Sequence, residues 1–210
     1  MIPERLAALR QEMEKRDIAV YIVPTADFHE SEYVGEYFKA RRFITGFTGS
    51  AGTAVITRTK AGLWTDGRYF IQAAKQLEGT GVTLMKMGEE GVPTVEEFIK
   101  KNLPMNGCLG CDGRTIHVAE GKDFETLVQE KEGRFEYQDD LAGAIWTDRP
   151  EMSKEPVYTL DVKYAGKSRE DKIQDVRDAM KEAGANVHII SSMDDIVWLL
   201  NIRGNDIIYN

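Results

Sequence analysis

The stretch LWTDGRYF, residues 63–70, places an acid and a base on either side of a glycine. A turn after a strand requires only Asp66 and Gly67, because Asp hydrogen-bonds to nearby backbone and Gly accepts a positive φ. Arg68 is therefore not needed to form the turn. Its guanidinium is either an exposed charge that pairs with a neighbouring acid, or a cation held on a rigid corner to bind a carboxylate or a carbonyl.

A second candidate is the sequence CLGC, in which Cys108 and Cys111 have a spacing found in zinc and redox sites. A zinc site requires a second cysteine pair or two histidines, and only His117 lies close in the sequence. A redox pair opens a helix after a strand, whereas a DG turn signal follows here. We interpret residues 107–112 as a short buried strand in which both thiols are core side chains.

The densest polar segment is ADFHESEY, residues 26–33. Four of its side chains are of metal-ligating types, namely Asp27, His29, Glu30 and Glu32. A hydrolytic metal site needs several such groups to converge, and the other histidines, His117 and His188, lie in unrelated segments. We interpret the segment as a solvated loop and helix start, capped by Asp27 or Ser31. The sequence therefore yields no metal ligand and no catalytic residue.

The glycine-rich segment GFTGSAGTAV, residues 46–55, has the composition of a phosphate loop but not its spacing. It lacks the lysine of a nucleotide-binding loop and leads into a β-branched run rather than into a helix. Ser50 does not fit a nucleophile elbow, because Thr48 stands where that motif requires glycine. We expect the glycines to allow close backbone packing or a mobile loop beside the sheet.

The elements that carry these residues alternate between helices and strands. Leu6, Leu9 and Met13 have helical spacing, and the apolar run IAVYIVP that follows is typical of a buried strand. TAVITRT and LWT flank KAG and predict a hairpin, so the sheet is expected to be mixed. Further strands are predicted in TLMKM and CLGCD, and further helices in TVEEFIKK and KDFETLVQEK. The pattern predicts an α/β fold with a mixed β-sheet flanked by helices.

The chain divides into three predicted segments. Residues 1–148 form the first domain, and residues 149–167 form a linker with two prolines and no helical period. Residues 168–210 begin a second domain, with Ser168 as helix cap and a strand near residues 187–190.

The second start repeats the first without a gap. Met13 and Met180 are 167 positions apart, and so are Asp27 and Asp194. Patterns of this kind also recur by chance, so coincidence and duplication of a domain remain as alternatives.

Composition restricts the partners of the chain. The 210 residues carry a net charge of -8, which would repel a phosphate backbone, so we expect no nucleic-acid partner. The sequence contains no run near the roughly 20 apolar residues that a membrane span needs, so no membrane partner is expected either. The amphipathic start carries no secretion signal, and two cysteines fit a reducing compartment. These features predict a cytoplasmic location.

Several segments together resemble a known family. They are ADFHESEY, RRFITGFTGSAGTAVIT, LWTDGRYFIQAAKQL, TLMKMGEEGVPT, IWTDRPE and MDDIVWLLNIRGND. In this order they resemble the Xaa-Pro aminopeptidases, also called aminopeptidase P, in the large three-domain cytosolic form; sister families are prolidase and creatinase. The resemblance covers essentially the whole chain. It implies a creatinase/prolidase N-terminal domain followed by the start of a second, similar domain.

Enzymes of this family remove the N-terminal residue from peptides whose second residue is proline. The resemblance implies that two divalent metal ions, usually manganese, bind in a C-terminal pita-bread domain whose ligands have no counterparts in this sequence. It implies a non-catalytic role for this chain, inactive alone, in homodimer contacts and in one wall of the substrate entrance.

The arginine of WTDGRYF reaches toward the bound peptide in the family, so the resemblance implies that Arg68 binds the peptide substrate. A stand-alone binding or assembly module of the same fold, without peptidase activity, is the alternative.

Overall fold

The computed structural model describes residues 1–205; the last part of the predicted segment 168–210 lies outside the described residues. The chain forms two compact units. Unit 1 comprises Met1–Glu30 and Glu36–Glu151, and unit 2 comprises Ser31–Gly35 and the chain from Met152 onward.

The predicted linker, residues 149–167, includes a two-residue strand and a one-turn helix. The three-part division of the chain itself stays a prediction.

Unit 1 is built on a mixed β-sheet. Its strands in the described part of the chain are β1 (Val20–Pro24), β2 (Thr53–Thr57), β3 (Ala61–Thr65), β4 (Thr83–Lys86), β5 (Cys108–Cys111) and β6 (Arg134–Glu136). They lie in the order β4-β3-β2-β1-β5-β6. The pairs β1/β2 and β2/β3 are antiparallel, whereas β1/β5, β3/β4 and β5/β6 are parallel. The predicted hairpin and the mixed sheet are both confirmed.

Strand β1 lies in the interior of this sheet and is buried on both faces. Tyr21 and Val23 belong to the core on one face, and Val20 and Ile22 belong to the core on the other. Because side chains alternate across a strand, a strand covered on both sides must be apolar at every position. This requirement explains the unbroken apolar run in the sequence.

Helices cover both faces of the sheet. They are α1 (Ile2–Lys15), α2 (Ala40–Thr45), α3 (Phe70–Leu77), α4 (Val95–Asn102), α5 (Val118–Gln129) and α6 (Leu141–Ile145). Helices α1, α2, α3 and α6 contribute to the core on the Tyr21 face, and α4 and α5 contribute to the core on the Val20 face. The predicted apolar stripe of α1, Leu6, Leu9 and Met13, is buried.

Hydrogen bonds fix two of these helices. The Tyr21 hydroxyl donates to the Asp139 carbonyl at 2.9 Å and accepts from the Leu141 main-chain nitrogen at 3.0 Å, which ties α6 to β1. Thr94 and Glu97 form a capping box at the start of α4, each side chain accepting from the other's main-chain nitrogen.

Unit 2 is mainly helical. Its described elements are β7 (Tyr158–Thr159), α7 (Val162–Ala165), α8 (Arg169–Glu182), α9 (Met193–Leu200) and β8 (Ile202–Arg203), with β7 and β8 antiparallel. The Ser168 hydroxyl accepts from the Asp171 main-chain nitrogen at 3.0 Å, so its predicted capping role is confirmed. Lys172, only 3% exposed, donates to the Trp198 carbonyl at 2.9 Å and to Asn201 Oδ1 at 2.7 Å, which joins α8 to the end of α9.

The predicted strand near residues 187–190 is wrong, because in the described chain these residues belong to no β-sheet. Val187 and Ile189 are 77% and 84% exposed. Val20 and Ile22, which correspond to them at the offset of 167 residues, pair with β2 and β5 and are buried in the core. A strand is defined by its partners, so an apolar sequence alone does not make one.

The repeat offers a matched pair of substitutions. Met13 is fully buried, whereas Met180, the corresponding residue of α8, is half-buried. We expect Met13→Ala to lower the free energy of unfolding by about 2–5 kcal/mol through loss of packing. Met180→Ala should cost less than about 1 kcal/mol, since large losses come from fully buried side chains. Urea denaturation followed by circular dichroism checks both values, and equal losses would contradict the expectation.

Candidate functional site

Arg68 lies on a corner between β3 and α3. Asp66 caps a short 3₁₀ turn, Gly67–Tyr69, and its Oδ1 accepts from the Arg68 main-chain nitrogen at 3.0 Å. The guanidinium forms a bidentate ion pair with the same carboxylate, with Nε donating to Oδ1 at 2.8 Å and Nη2 donating to Oδ2 at 2.9 Å. The Arg68 side chain is nevertheless 71% exposed. The ion pair of the surface interpretation is thus present, and it also gives the cation a fixed orientation.

The pairing changes the electrostatics of Asp66. Hydrogen bonds from Arg68 lower the pKa of the Asp66 carboxyl to about 2. The carboxylate therefore stays ionised, and the ion pair with Arg68 persists, throughout the physiological pH range. A lowered pKa in the folded state stabilises the fold above the ordinary Asp value of about 3.9, and this contribution is lost as the pH falls toward 2.

The same corner occurs a second time, after β5. Asp112 Oδ1 accepts from the Arg114 main-chain nitrogen at 3.1 Å and from Nε at 2.9 Å, and Oδ2 accepts from Nη2 at 2.9 Å. Arg114 also contacts Asp140 Oδ2 at 3.4 Å and lies 4.8 Å from the centre of the Phe28 ring. Sequence reasoning missed this corner, although the letters DGR mark both.

The two corners differ in how far the arginine is exposed. The side chain of Arg68 is 71% exposed, and that of Arg114 is 51% exposed and bridges two carboxylates of unit 1. The bidentate ion pair is therefore a general feature of this turn, and exposure is what distinguishes Arg68.

The glycine-rich loop, residues 46–52, packs behind the Arg68 corner. The Phe47 and Tyr69 rings meet edge to face with centres 5.8 Å apart, and the hydroxyls of Ser50 and Tyr69 are 2.7 Å apart. A Cβ at Gly49 would lie 2.2 Å from the Phe47 ring and 2.8 Å from the Tyr69 ring. The predicted close backbone packing is confirmed here. The Ser50 hydroxyl is hydrogen-bonded to the phenol of Tyr69, and a phenol is not a general base at neutral pH.

The polar segment 26–33 does not assemble a metal site. Asp27 is 1% exposed, and its Oδ1 accepts from the His29 main-chain nitrogen at 2.8 Å. The segment is the predicted loop, with His29, Glu30 and Glu32 exposed, but the predicted helix start is wrong, because no helix begins within residues 26–33. Across residues 1–205, no group of three or more His, Cys, Asp and Glu side chains is arranged to hold a metal ion.

His117, which lies beside this segment, has a structural role. His117 caps α5, its Nδ1 accepting from the Glu120 main-chain nitrogen at 3.2 Å. Its Nε2 lies 4.0 Å from a Glu30 oxygen.

The two cysteines lie in the predicted buried strand, β5, which is confirmed. Cys108 belongs to the core on the Tyr21 face of the sheet, and Cys111 belongs to the core on the opposite face. Burial raises the pKa of both thiols, that of Cys111 to about 12. Since the side chains point to opposite faces, one metal ion cannot bind both sulfur atoms.

Unit 1 thus combines a mixed, helix-covered sheet with a fixed and exposed guanidinium at one corner. The chain belongs to the creatinase/prolidase N-terminal domain family, because a family model of that description matches residues 5–144. A second model with the same description matches residues 148–210. The predicted fold class is confirmed.

Within this family the chain is similar to the Xaa-Pro aminopeptidases P, as its sequence motifs predicted. It is 41% identical over 209 residues to the probable Xaa-Pro aminopeptidase P of Laccaria bicolor, covering 99% of this chain and 32% of that protein. It is 44% identical to the protein of the same description from Talaromyces marneffei, with the same coverage. The chain spans about a third of the length of these curated relatives.

Solved structures match as well, and one of them covers the chain throughout. It is that of X-prolyl aminopeptidase from Caenorhabditis elegans, with a TM-score of 0.89 and 33% identity, covering 100% of this chain and 36% of that one. That protein is described as a cytosolic enzyme with a di-nuclear active site. In the described part of the present chain, no helix is long and apolar enough to cross a membrane.

The Asp66 pKa provides a direct test of the corner geometry. In Arg68→Ala the hydrogen bonds that lower the pKa are lost, so the pKa should rise from about 2 toward the ordinary value of about 3.9. Carbon-detected NMR titration of the Asp66 carboxyl measures both values. Arg68→Lys should restore the shift only in part, because lysine lacks the planar fork. An unchanged pKa in Arg68→Ala would show that the pair does not form in solution.

The cysteine geometry predicts that the CLGC sequence binds no zinc. Replacing Cys108 and Cys111 together by alanine should leave the metal content unchanged and reduce stability modestly, because only small core side chains are shortened. Elemental analysis of both proteins after purification is the measurement. Stoichiometric zinc that disappears in the double variant would contradict the geometry.

Proposed function

We propose that this chain is the N-terminal, non-catalytic part of a metal-dependent Xaa-Pro aminopeptidase, which removes the N-terminal residue from peptides with proline second. In this proposal the chain contributes to homodimer contacts and to the substrate entrance, where Arg68 binds the peptide. The enzyme is proposed to act in the cytoplasm. The observation that carries the proposal is the similarity to Xaa-Pro aminopeptidases P along 99% of the chain.

The metal centre of the proposed enzyme belongs to residues beyond this chain. The side chains of residues 1–205 do not fit a metal pair, since no suitable group of three ligands is present among them. The described di-nuclear site of the Caenorhabditis elegans enzyme supports two metal ions for the whole protein, and manganese is proposed as their identity. Such ions, when bound, polarise a peptide carbonyl and activate water.

Three features of Arg68 support a role in binding the peptide. Its guanidinium is oriented by the two hydrogen bonds that it donates to Asp66, so little side-chain freedom remains to be lost on binding. Its side chain is 71% exposed. Ile71, one helical turn further on and 77% exposed, places an apolar surface beside the cation. A charged donor next to an aliphatic side chain suits a peptide that offers a carbonyl or carboxylate close to a prolyl ring.

Substitution of Arg68 in the full-length enzyme tests this role. In Arg68→Ala, kcat/KM for an Xaa-Pro peptide should fall by roughly tenfold to a hundredfold, the usual effect of losing a charge-assisted hydrogen bond to substrate. The loss should appear mainly in KM, because the contact is remote from the bond that is broken. The melting temperature should remain close to that of the unmodified enzyme.

Arg114 supplies the matched control for this experiment. It forms the same bidentate pair in the same kind of turn, so Arg114→Ala removes an equivalent ion pair elsewhere in unit 1. Its kcat/KM should be close to that of the unmodified enzyme. The 210-residue chain by itself, which we expect to be inactive, serves as a further reference. If Arg68→Ala leaves the kinetics unchanged but lowers the melting temperature, Arg68 has only a structural role.

A further inference from the structure

Arg41, in α2, is a buried cation whose hydrogen bonds go to neutral groups. It is 4% exposed, and its Nε donates to the Thr25 hydroxyl at 2.9 Å. Nη1 donates to the Phe47 carbonyl at 2.7 Å, and Nη2 donates to the Gly49 carbonyl. The guanidinium also lies 4.7 Å from the centre of the Phe47 ring. Three of its nitrogens therefore hold the chain at Thr25 and at two points of the glycine-rich loop.

Burying this cation is unfavourable, since a charge removed from water must be compensated by close hydrogen bonds. Desolvation lowers the pKa of Arg41 to about 10, which still leaves it protonated at neutral pH. An apolar side chain would fill the same space without this cost. The position of the bonds suggests what the charge achieves, because the carbonyls of Phe47 and Gly49 are drawn to a single planar group.

The loop held by Arg41 supports the residue that follows Arg68. Phe47 packs edge to face on Tyr69, and the Ser50 hydroxyl bonds to that of Tyr69. Gly49 lies so close to both rings that no side chain fits there. The centre of the Tyr69 ring also lies 5.3 Å from the Arg68 guanidinium. A continuous set of contacts therefore leads from the buried cation to the exposed one.

The same loop is also attached to α3. The Thr48 hydroxyl accepts from the side-chain nitrogens of Gln72 and Gln76, each at 2.9 Å, and the Thr48 main-chain nitrogen donates to Gln76 Oε1 at 2.9 Å. The corner that carries Arg68 is thus braced both at Tyr69 and along the helix that follows it.

We infer that Arg41 is a positioning residue for Arg68: it fixes loop 46–52 against Tyr69 and so sets the orientation of the peptide-binding guanidinium. The inference rests on the proposed function of Arg68. Arg41 itself is too deeply buried to touch a substrate, so its effect must pass through the loop.

A double-mutant cycle in the full-length enzyme tests the inference. Arg41→Lys keeps the charge but loses the planar guanidinium that binds two carbonyls. We expect kcat/KM to fall by about tenfold, and by at most about a hundredfold, which is the usual effect of a small displacement of a binding group. The fall in kcat/KM should appear as an increase in KM. In the Arg68→Ala background the same substitution should have little further effect, because the residue through which Arg41 acts is gone.

Arg42→Lys is the matched control, since Arg42 is the neighbouring arginine of α2 and its side chain is 50% exposed. It should leave KM unchanged. If Arg41→Lys lowers kcat/KM equally with and without Arg68, or not at all, the inference is overturned while the proposed role of Arg68 stands. If Arg68→Ala alone has no kinetic effect, the proposed role of Arg68 fails instead.

A second measurement follows the Arg68 side chain directly. The order parameter of the Arg68 Nε–H group, from ¹⁵N relaxation of the 210-residue chain, should fall in Arg41→Lys and stay unchanged in Arg42→Lys. Should Arg41→Lys fail to fold, Tyr69→Phe provides the same test, because it removes only the bond to Ser50. An unchanged order parameter in the folded variant overturns the inference whatever the kinetics show.

Discussion

Strand β1 determines how unit 1 is organised, because it has a neighbouring strand on each edge and a hydrophobic core on each face. Its antiparallel partner β2 begins the hairpin that ends at the Arg68 corner, and its parallel partner β5 ends at the Arg114 corner. The two corners are therefore displayed by strands on opposite sides of β1. The fixed position of Arg68 therefore depends on β1, a strand that contains no charged residue.

The sequence predicted the elements whose pattern is local. The apolar run of β1, the KAG hairpin and the Ser168 cap depend on neighbouring residues, and each is confirmed. Residues 187–190 show why other features could not be predicted. They carry the apolar residues of a strand, but strand formation depends on partners elsewhere in the chain, which periodicity does not reveal.

The candidate site was predicted only in part for a related reason. DGR identified a turn with a surplus arginine, and the structure shows how that arginine is held. Arg41 gave no signal, because an arginine in a short helix is usually at the surface. Its burial results from the fold of loop 46–52, whose carbonyls replace the water that a guanidinium otherwise binds.

The burial of both thiols in β5 has a practical consequence. The chain contains two cysteines, and both are enclosed in the core, so a cysteine introduced at its surface would be its one readily accessible thiol. Ile71, exposed beside Arg68, is a suitable position for a maleimide-linked fluorophore or spin label. This chain can therefore be labelled at the Arg68 corner without prior removal of its own cysteines.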